Sequence, residues 1–157
     1  MRIVVISDSH GRSDIIDKIL SLQPDACYVF FLGDNTRDIE DFEILYPHKK
    51  FLTVSGNCDF NSFYPYTGME TVEGVKIFYT HGHTLNVKSS TEYLLKSAKQ
   101  NGCKIALYGH THIANTLYED GVYLVNPGSV SRPRNSGPSY AVIDITPKGI
   151  MPIIINI

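Results

Sequence analysis

Apolar residues in this chain come in short continuous runs, and polar chemistry follows each run at once. Ile3–Ile6 leads into Asp8-Ser9-His10, Tyr28–Leu32 into Gly33-Asp34, and Phe51–Val54 into Gly56-Asn57-Cys58-Asp59. Val75–Tyr79 leads into His81-Gly82-His83, and Lys104–Tyr108 into Gly109-His110-Thr111-His112. Runs of this length read as buried strands of an α/β sheet. Between them the period changes. Ile15, Ile16, Ile19 and Leu20 recur at helical spacing, which predicts a helix over Asp14–Leu22, with Ser13 as N-cap and Gln23-Pro24-Asp25 as the stop. Ile39, Phe42 and Leu45 predict a second helix over Thr36–Leu45, with Pro47 beyond it. The first third therefore reads β-α-β-α-β, the pattern of a parallel sheet with right-handed crossovers.

The later pattern is richer in hairpins. Gly68–Thr80 folds back at Glu73-Gly74, and Thr116–Tyr118 pairs with Val122–Val125 across Glu119-Asp120-Gly121. Tyr140–Ile145 and Ile150–Ile155 flank a turn at Pro147-Lys148-Gly149. Ser89–Asn101 reads as a helix with Tyr93, Leu94 and Ala98 as its apolar stripe and Gly102 as its stop. A parallel half followed by an antiparallel-rich half predicts an α/β fold of four layers, an α-β-β-α sandwich with two facing mixed sheets and helices outside. The 157 residues favour one domain over 1–157.

Composition narrows the function. Hydrophobic content is 43% and charged content 19%, an ordinary globular balance. The formal net charge is −2 and no long Lys/Arg run occurs, so no extended nucleic-acid interface is expected. A basic pocket for a single phosphate is compatible with that balance. No apolar stretch approaches the roughly 20 residues of a membrane span. The first apolar run ends in Ser7-Asp8 and does not read as a signal peptide. The three cysteines form no CxxC pair; Cys27 and Cys103 are expected in the core, and a cytoplasmic setting is expected.

Ligands of open α/β sheets collect at the carboxyl ends of the strands. The five run ends would gather Asp, Asn and His in one crevice, a mixed oxygen and nitrogen set suited to Mn, Fe or Zn. The donors are too many for one ion, which suggests two. Each short motif is weak alone, since Gly-Asp and Gly-Asn also mark turns. Their combination is stronger: five of the six histidines lie in these motifs, and only His48 does not.

In that order the five blocks resemble those of the calcineurin-like metallophosphoesterases, from Asp8 to at least Ser129. The chain length, the Gly56–Asp59 block and Asn126-Pro127-Gly128-Ser129 look most like the small bacterial and archaeal phosphodiesterase branch, which also includes eukaryotic retromer-subunit scaffolds. The resemblance implies that Asp8, His10, Asp34 and His112 hold one metal and that Asp34, Asn57, His81 and His110 hold the other. It makes Asp34 the bridge. Two divalent transition ions would follow, Mn²⁺ favoured, with Zn²⁺, Ni²⁺ and Fe as alternatives. A hydroxide bridging two such cations would attack phosphorus in line. A neutral Asn57 oxygen would limit negative charge where an anionic ester binds.

Other positions stay open. Where many relatives carry a leaving-group His, this chain has Cys58, either a reactive thiol or a passive small residue. His83 is a candidate general acid or a hydrogen-bonded neighbour of the ligands. Asp59 either orients a catalytic group or caps a turn. Arg132 and Arg134, in the loop after Ser129, are candidate substrate-binding residues ahead of Arg12 and Arg37. Phe63, Tyr64 and Tyr66 would line a substrate cleft or a homo-oligomer contact. The expected activity is hydrolysis of a small phosphate ester, and the resemblance implies a diester ahead of a monoester; Cys58 supports that order, because a monoester dianion gains more from a cationic His. The rivals are a non-catalytic interaction scaffold and a mononuclear metal hydrolase.

Overall fold

The structure is a computed structural model and describes residues 1–157. Its strands are β1 (Arg2–Ile6), β2 (Ala26–Phe31), β3 (Lys50–Thr53), β4 (Thr67–Val72), β5 (Val75–Thr80), β6 (Ile105–Leu107), β7 (Asn115–Glu119), β8 (Val122–Asn126), β9 (Ser139–Thr146) and β10 (Gly149–Asn156). The helices are α1 (Ser13–Leu22), α2 (Phe42–Leu45) and α3 (Glu92–Gln100), with single 3₁₀ turns at Thr36–Asp38 and His83–Leu85. One sheet runs β10-β9-β1-β2-β3, the other β4-β5-β6-β8-β7. Each has a parallel centre: β1, β2 and β3 in the first, β5, β6 and β8 in the second. Antiparallel strands complete the other edges, while β3 is the parallel edge of the first sheet.

Alternate residues of the apolar runs feed different layers. Ile3, Val5, Phe30 and Leu32 face Ile77, Tyr79, Ile105 and Leu107 between the sheets. Val4, Ile6, Val29 and Phe31 point the other way, onto Ile16, Ile19 and Leu20 of α1 and onto Ile39 and Phe42. Phe78, Ala106 and Leu124 pack under Leu94, Leu95 and Ala98 of α3. Burial on both faces is why these strands show no polar alternation. The four-layer sandwich follows, and it places the carboxyl ends of the parallel strands together. No helix is long and apolar enough to cross a membrane.

Four local expectations are corrected. The segment 36–45 is a 3₁₀ turn and then the four-residue α2, not one helix. Ile39 and Phe42 are buried as their spacing required, but Leu45 is 63% exposed. Ser13 is the first residue of α1 and caps nothing; Arg12 precedes it and forks onto Asp14 at 2.8 Å through both Nε and Nη2. Tyr93 is exposed, because the stripe of α3 is Leu94, Leu95 and Ala98. Cys27 is exposed because the β1–β2 register passes from Arg2–Ala26 directly to Ile3–Tyr28, so Cys27 is the extra residue of a bulge. Cys103 is buried as expected.

Phe30 is fully buried between the sheets, its ring edge-on to Tyr79 at 5.0 Å between centroids. Phe30→Ala should lower unfolding free energy by about 3–5 kcal/mol in urea titrations. A loss below about 1 kcal/mol would contradict a closely packed inter-sheet layer.

Candidate metal centre

Turns directly beyond the strands carry the donors. Asp8, His10, Asp34, His110 and His112 all have positive φ, at 57°, 45°, 62°, 67° and 59°. Non-glycine residues rarely occupy that region, and such strain concentrates at functional sites. The reversals bring residues from β1, β2 and β6 ends to one place. Two glycines permit the approach. A Cβ on Gly56 would lie 2.1 Å from Asp34 Oδ1, and one on Gly109 would lie 2.0 Å from Ser7 Oγ.

One atom from each of Asp8, His10, Asp34 and His112 falls within 4.8 Å of the others. Asp8 is fully buried, yet its two oxygens differ. Oδ2 accepts from the Ser7 hydroxyl at 2.5 Å and from the His110 backbone N–H at 3.2 Å. Oδ1 has no hydrogen-bond partner and lies 3.1 Å from His112 Nε2. His10 Nε2, also without a partner, lies 3.7 Å from Asp34 Oδ2. Unsatisfied buried polar atoms are costly. Here they point at one another, as donors around a cation do.

A second set adjoins the first. His81 Nε2 lies 3.1 Å from Asn57 Oδ1, 3.1 Å from His110 Nδ1 and 3.5 Å from Asp34 Oδ1. The other ring nitrogen of His81 donates to the Leu32 carbonyl at 2.7 Å, and His112 Nδ1 donates to the Arg132 carbonyl at 2.6 Å. Each backbone acceptor assigns the proton to Nδ1 and leaves the Nε2 lone pair facing the carboxylates. That is the arrangement of metal-ligating imidazoles. A divalent cation in either set would satisfy acceptors that otherwise oppose each other.

Electrostatics favour neutral donors at His10 and His110 and a proton at His112. Burial, reinforced by His81, pushes His110 down to about 4. Burial also lowers His10. Asp8 raises the His112 pKa, outweighing burial. Burial alone would raise Asp8, but His112, His81 and the Ser7 hydroxyl hold it below its ordinary value. Burial beside Asp34 pushes the exposed-edge thiol of Cys58 up to about 11, so it stays protonated and offers no thiolate.

Of the two readings open for Asp59, its contacts match the orienting one. Its Oδ1 accepts the backbone N–H groups of Asn35 at 2.8 Å and Thr36 at 2.7 Å; its Oδ2 accepts those of Asp34 at 2.8 Å and Gly56 at 2.7 Å. With both oxygens committed, it positions the Asp34 loop. His83 is half-buried, 5.4 Å from the His81 ring and edge-on to Tyr66, with Nδ1 lacking a partner. Arg132 and Arg134 are exposed and pair with no carboxylate, while their backbone holds His112: Arg134 N–H donates to the His112 carbonyl at 2.8 Å.

Asp38, Ser129 and Asn126 were not singled out for a role, yet they hold the site. Asp38 accepts from Ser9 Oγ at 2.6 Å and the Gly11 N–H at 2.8 Å. Ser129 Oγ donates to the Asp8 carbonyl at 2.8 Å, and Asn126 Nδ2 to the Gly109 carbonyl at 3.0 Å. Asn126–Ser129 was visible only as a family mark. Asp38 was hidden inside a presumed helix.

Residues 1–148 match the calcineurin-like phosphoesterase superfamily domain. The chain belongs to that superfamily. Membership supports a metal-dependent phosphoesterase. The chain is 29% identical over 148 residues to the protein named probable metallophosphoesterase YsnB of Bacillus subtilis, covering 92% of this chain and 85% of that one. It is 29% identical over 169 residues to phosphodiesterase YfcE of Escherichia coli K12, covering 92% and 88%. The crystal structure of a Vps29 mutant from Entamoeba histolytica superposes with TM-score 0.77 at 23% identity, covering 100% of this chain and 99% of that one, a likeness of fold.

Two outcomes follow from the site geometry. Asp59→Asn would set an NH₂ against two backbone N–H groups, so it should weaken cation binding by about tenfold or more in calorimetry. Unchanged affinity would contradict its positioning role. A proton on His112 competes with a cation, and Asp8 raises that pKa above 6.5. Binding at the Asp8 set should therefore hold at higher pH. It should weaken by about tenfold per pH unit once pH falls below the raised pKa. A pH-independent affinity through that range would contradict the assignment.

Proposed function

We propose that this chain, acting as one domain over 1–157, hydrolyses phosphate esters with two divalent cations, and prefers diesters. The observation that carries the reading is the direction of the two Asp34 oxygens. Oδ2 faces His10 at 3.7 Å, and Oδ1 faces His81 at 3.5 Å. One buried carboxylate thus looks into both donor sets. Asp8, His10, Asp34 and His112 would hold one cation; Asp34, Asn57, His81 and His110 would hold the other. When bound, the cations would supply Lewis acidity, acidifying water and neutralising charge on the phosphoryl oxygens.

The residues would do the remaining work. Asp8 and Asp34 supply negative charge to the cations, and Ser7, His110 N–H and Cys58 N–H keep those carboxylates oriented. Asn57 adds a neutral oxygen at the exposed mouth. Arg132 and Arg134, free of carboxylate partners, would meet the anionic ester there. His83, half-buried with its ring 5.4 Å from that of His81, would ligate nothing and would pass a proton to a departing alkoxide. Mn²⁺ remains the favoured cation for this mixed oxygen and nitrogen set.

Diesters are favoured because Cys58 cannot supply a cationic hydrogen-bond donor. Its Sγ accepts from Asn57 Nδ2 at 3.4 Å, and a cysteine side chain carries no positive charge in either protonation state. A diester monoanion with a good leaving group needs such a donor least. The scaffold reading is supported by the shared fold of Vps29 and by 33% identity over 101 residues, 59% of this chain, to vacuolar protein sorting-associated protein 29 of Schizosaccharomyces pombe. The complete donor set favours the enzyme.

Elemental analysis after loading with Mn²⁺ should approach two ions per chain, and Asp34→Asn should lose the second ion and nearly all turnover. One tight ion only, or near-normal turnover by Asp34→Asn at saturating metal, would sink the bridging role. Wild-type protein should show higher kcat/KM on bis(4-nitrophenyl) phosphate than on 4-nitrophenyl phosphate. Cys58→His should narrow that gap by raising the monoesterase value, since kcat/KM reports transition-state stabilisation. A monoester preference that the substitution leaves untouched would remove the diester assignment.

A further inference from the structure

We infer that the cleft beside the metal centre binds a nucleobase ring, which makes the ester held at the two donor sets a nucleotide-type phosphate. The inference rests on the phosphoesterase reading and specifies its substrate class. A cleft of about 760 Å³ opens next to Asn57, starting at Cys58 and Asp59. That volume suits a small-molecule site. Its wall is tied to the metal centre through the Cys58 N–H, which donates to Asp34 Oδ1 at 3.0 Å, and through the Asp59 carboxylate. Asp59 accepts from Asn35 and Thr36, which line the cleft, and also from Asp34, which faces both donor sets. The separation between cleft and phosphate position is therefore fixed by hydrogen bonds.

The lining selects a flat ring with polar edges. Phe60 and Phe63 are 85% and 104% exposed, so neither ring contributes to the core. Both present free aromatic faces, and stacking against such faces is how bases are held without sequence-like readout. Tyr64, half-buried, also lines the cleft. The Asn61 side chain has no hydrogen-bond partner and Glu40 lies on the same rim, which gives a donor, an acceptor and a carboxylate for ring edges. Arg37, also on the rim, forms no ion pair and supplies a cation for a phosphate-bearing ligand. An aliphatic ester arm would leave both phenyl faces in water and the polar rim unused. A nucleobase is a flat ring with hydrogen-bonding edges that phosphate esters commonly carry.

Calorimetry with Mn²⁺-loaded protein tests this with adenosine 5′-monophosphate and ribose 5-phosphate as probes, which differ only by the base. Wild-type protein should bind the nucleotide at least about tenfold more tightly, within what base–aromatic stacking supplies. Phe60→Ala/Phe63→Ala should shrink the ratio below about threefold, chiefly through the nucleotide. Phe63→Tyr should keep the preference and Phe63→Ile should lose it, which separates stacking from bulk. Both rings are on the surface, so these changes spare the core. Equal wild-type affinities, or a preference that survives the double substitution, would overturn the inference. Turnover of bis(4-nitrophenyl) phosphate is measured in parallel. Its absence would count against the phosphoesterase reading, while the binding ratio would still decide the cleft.

Discussion

Asp8 and Asp34 are buried carboxylates, and neither has a lysine or arginine partner. An isolated ionised carboxylate in a protein interior is expensive unless paired and hydrogen-bonded. The chain meets part of that demand with neutral donors: the Ser7 hydroxyl and His110 N–H for Asp8, and the Cys58 N–H, at 3.0 Å, for Asp34. Histidines meet another part, most clearly where Asp8 raises the His112 pKa. Asp8 Oδ1 and His10 Nε2 are left over. The remaining deficit is of positive charge, and its location defines where cations would sit.

That demand shapes the backbone. Donors from separate strands must converge within a few ångströms, so the chain reverses immediately beyond each strand. The αL positions at Asp8, Asp34 and His110 are the cost of these reversals. Side chains at the contact points must also vanish. A Cβ on Gly33, whose φ is 91°, would lie 2.4 Å from the Gly56 nitrogen. The glycines preceding Asp34, Asn57 and His110 thus serve close approach between loops. As turn residues alone they would not need it.

Much of this was legible because burial on both faces leaves an unmistakable trace. The runs ending at Ile6, Leu32 and Tyr108 had no alternation, and each sits between two apolar layers. Hairpins at Glu73-Gly74 and Asp120-Gly121 were legible from turn chemistry; all four residues have positive φ. Features set by non-local partners were not. The segment 36–45 has a helical apolar period, but Asp38 is drawn to Ser9 and Gly11, and a continuous helix gives way to a 3₁₀ turn. Cys27 sits in an apolar context, and only the strand register exposes it. Asp59 follows a ligand motif, and its position there leaves an orienting role and a turn cap both open. Its four backbone bonds come from residues up to 25 positions away, which no local pattern encodes.

Fold alone does not decide between an enzyme and a scaffold, since Vps29 shares this architecture. What the geometry adds is that these strand ends are built to hold charge. Buried acceptors that face each other are costly, and relaxation toward neutral, self-satisfied side chains would stabilise the chain. Here the opposed acceptors persist, and the surrounding groups are spent on aiming them. Leu32 and Arg132 carbonyls fix histidine tautomers, Ser129 and Asn126 brace the turns, and Asp59 fastens the Asp34 loop to the aromatic-lined cleft. An interior that accepts that much electrostatic and conformational cost is organised for cations and for the anion they would attract.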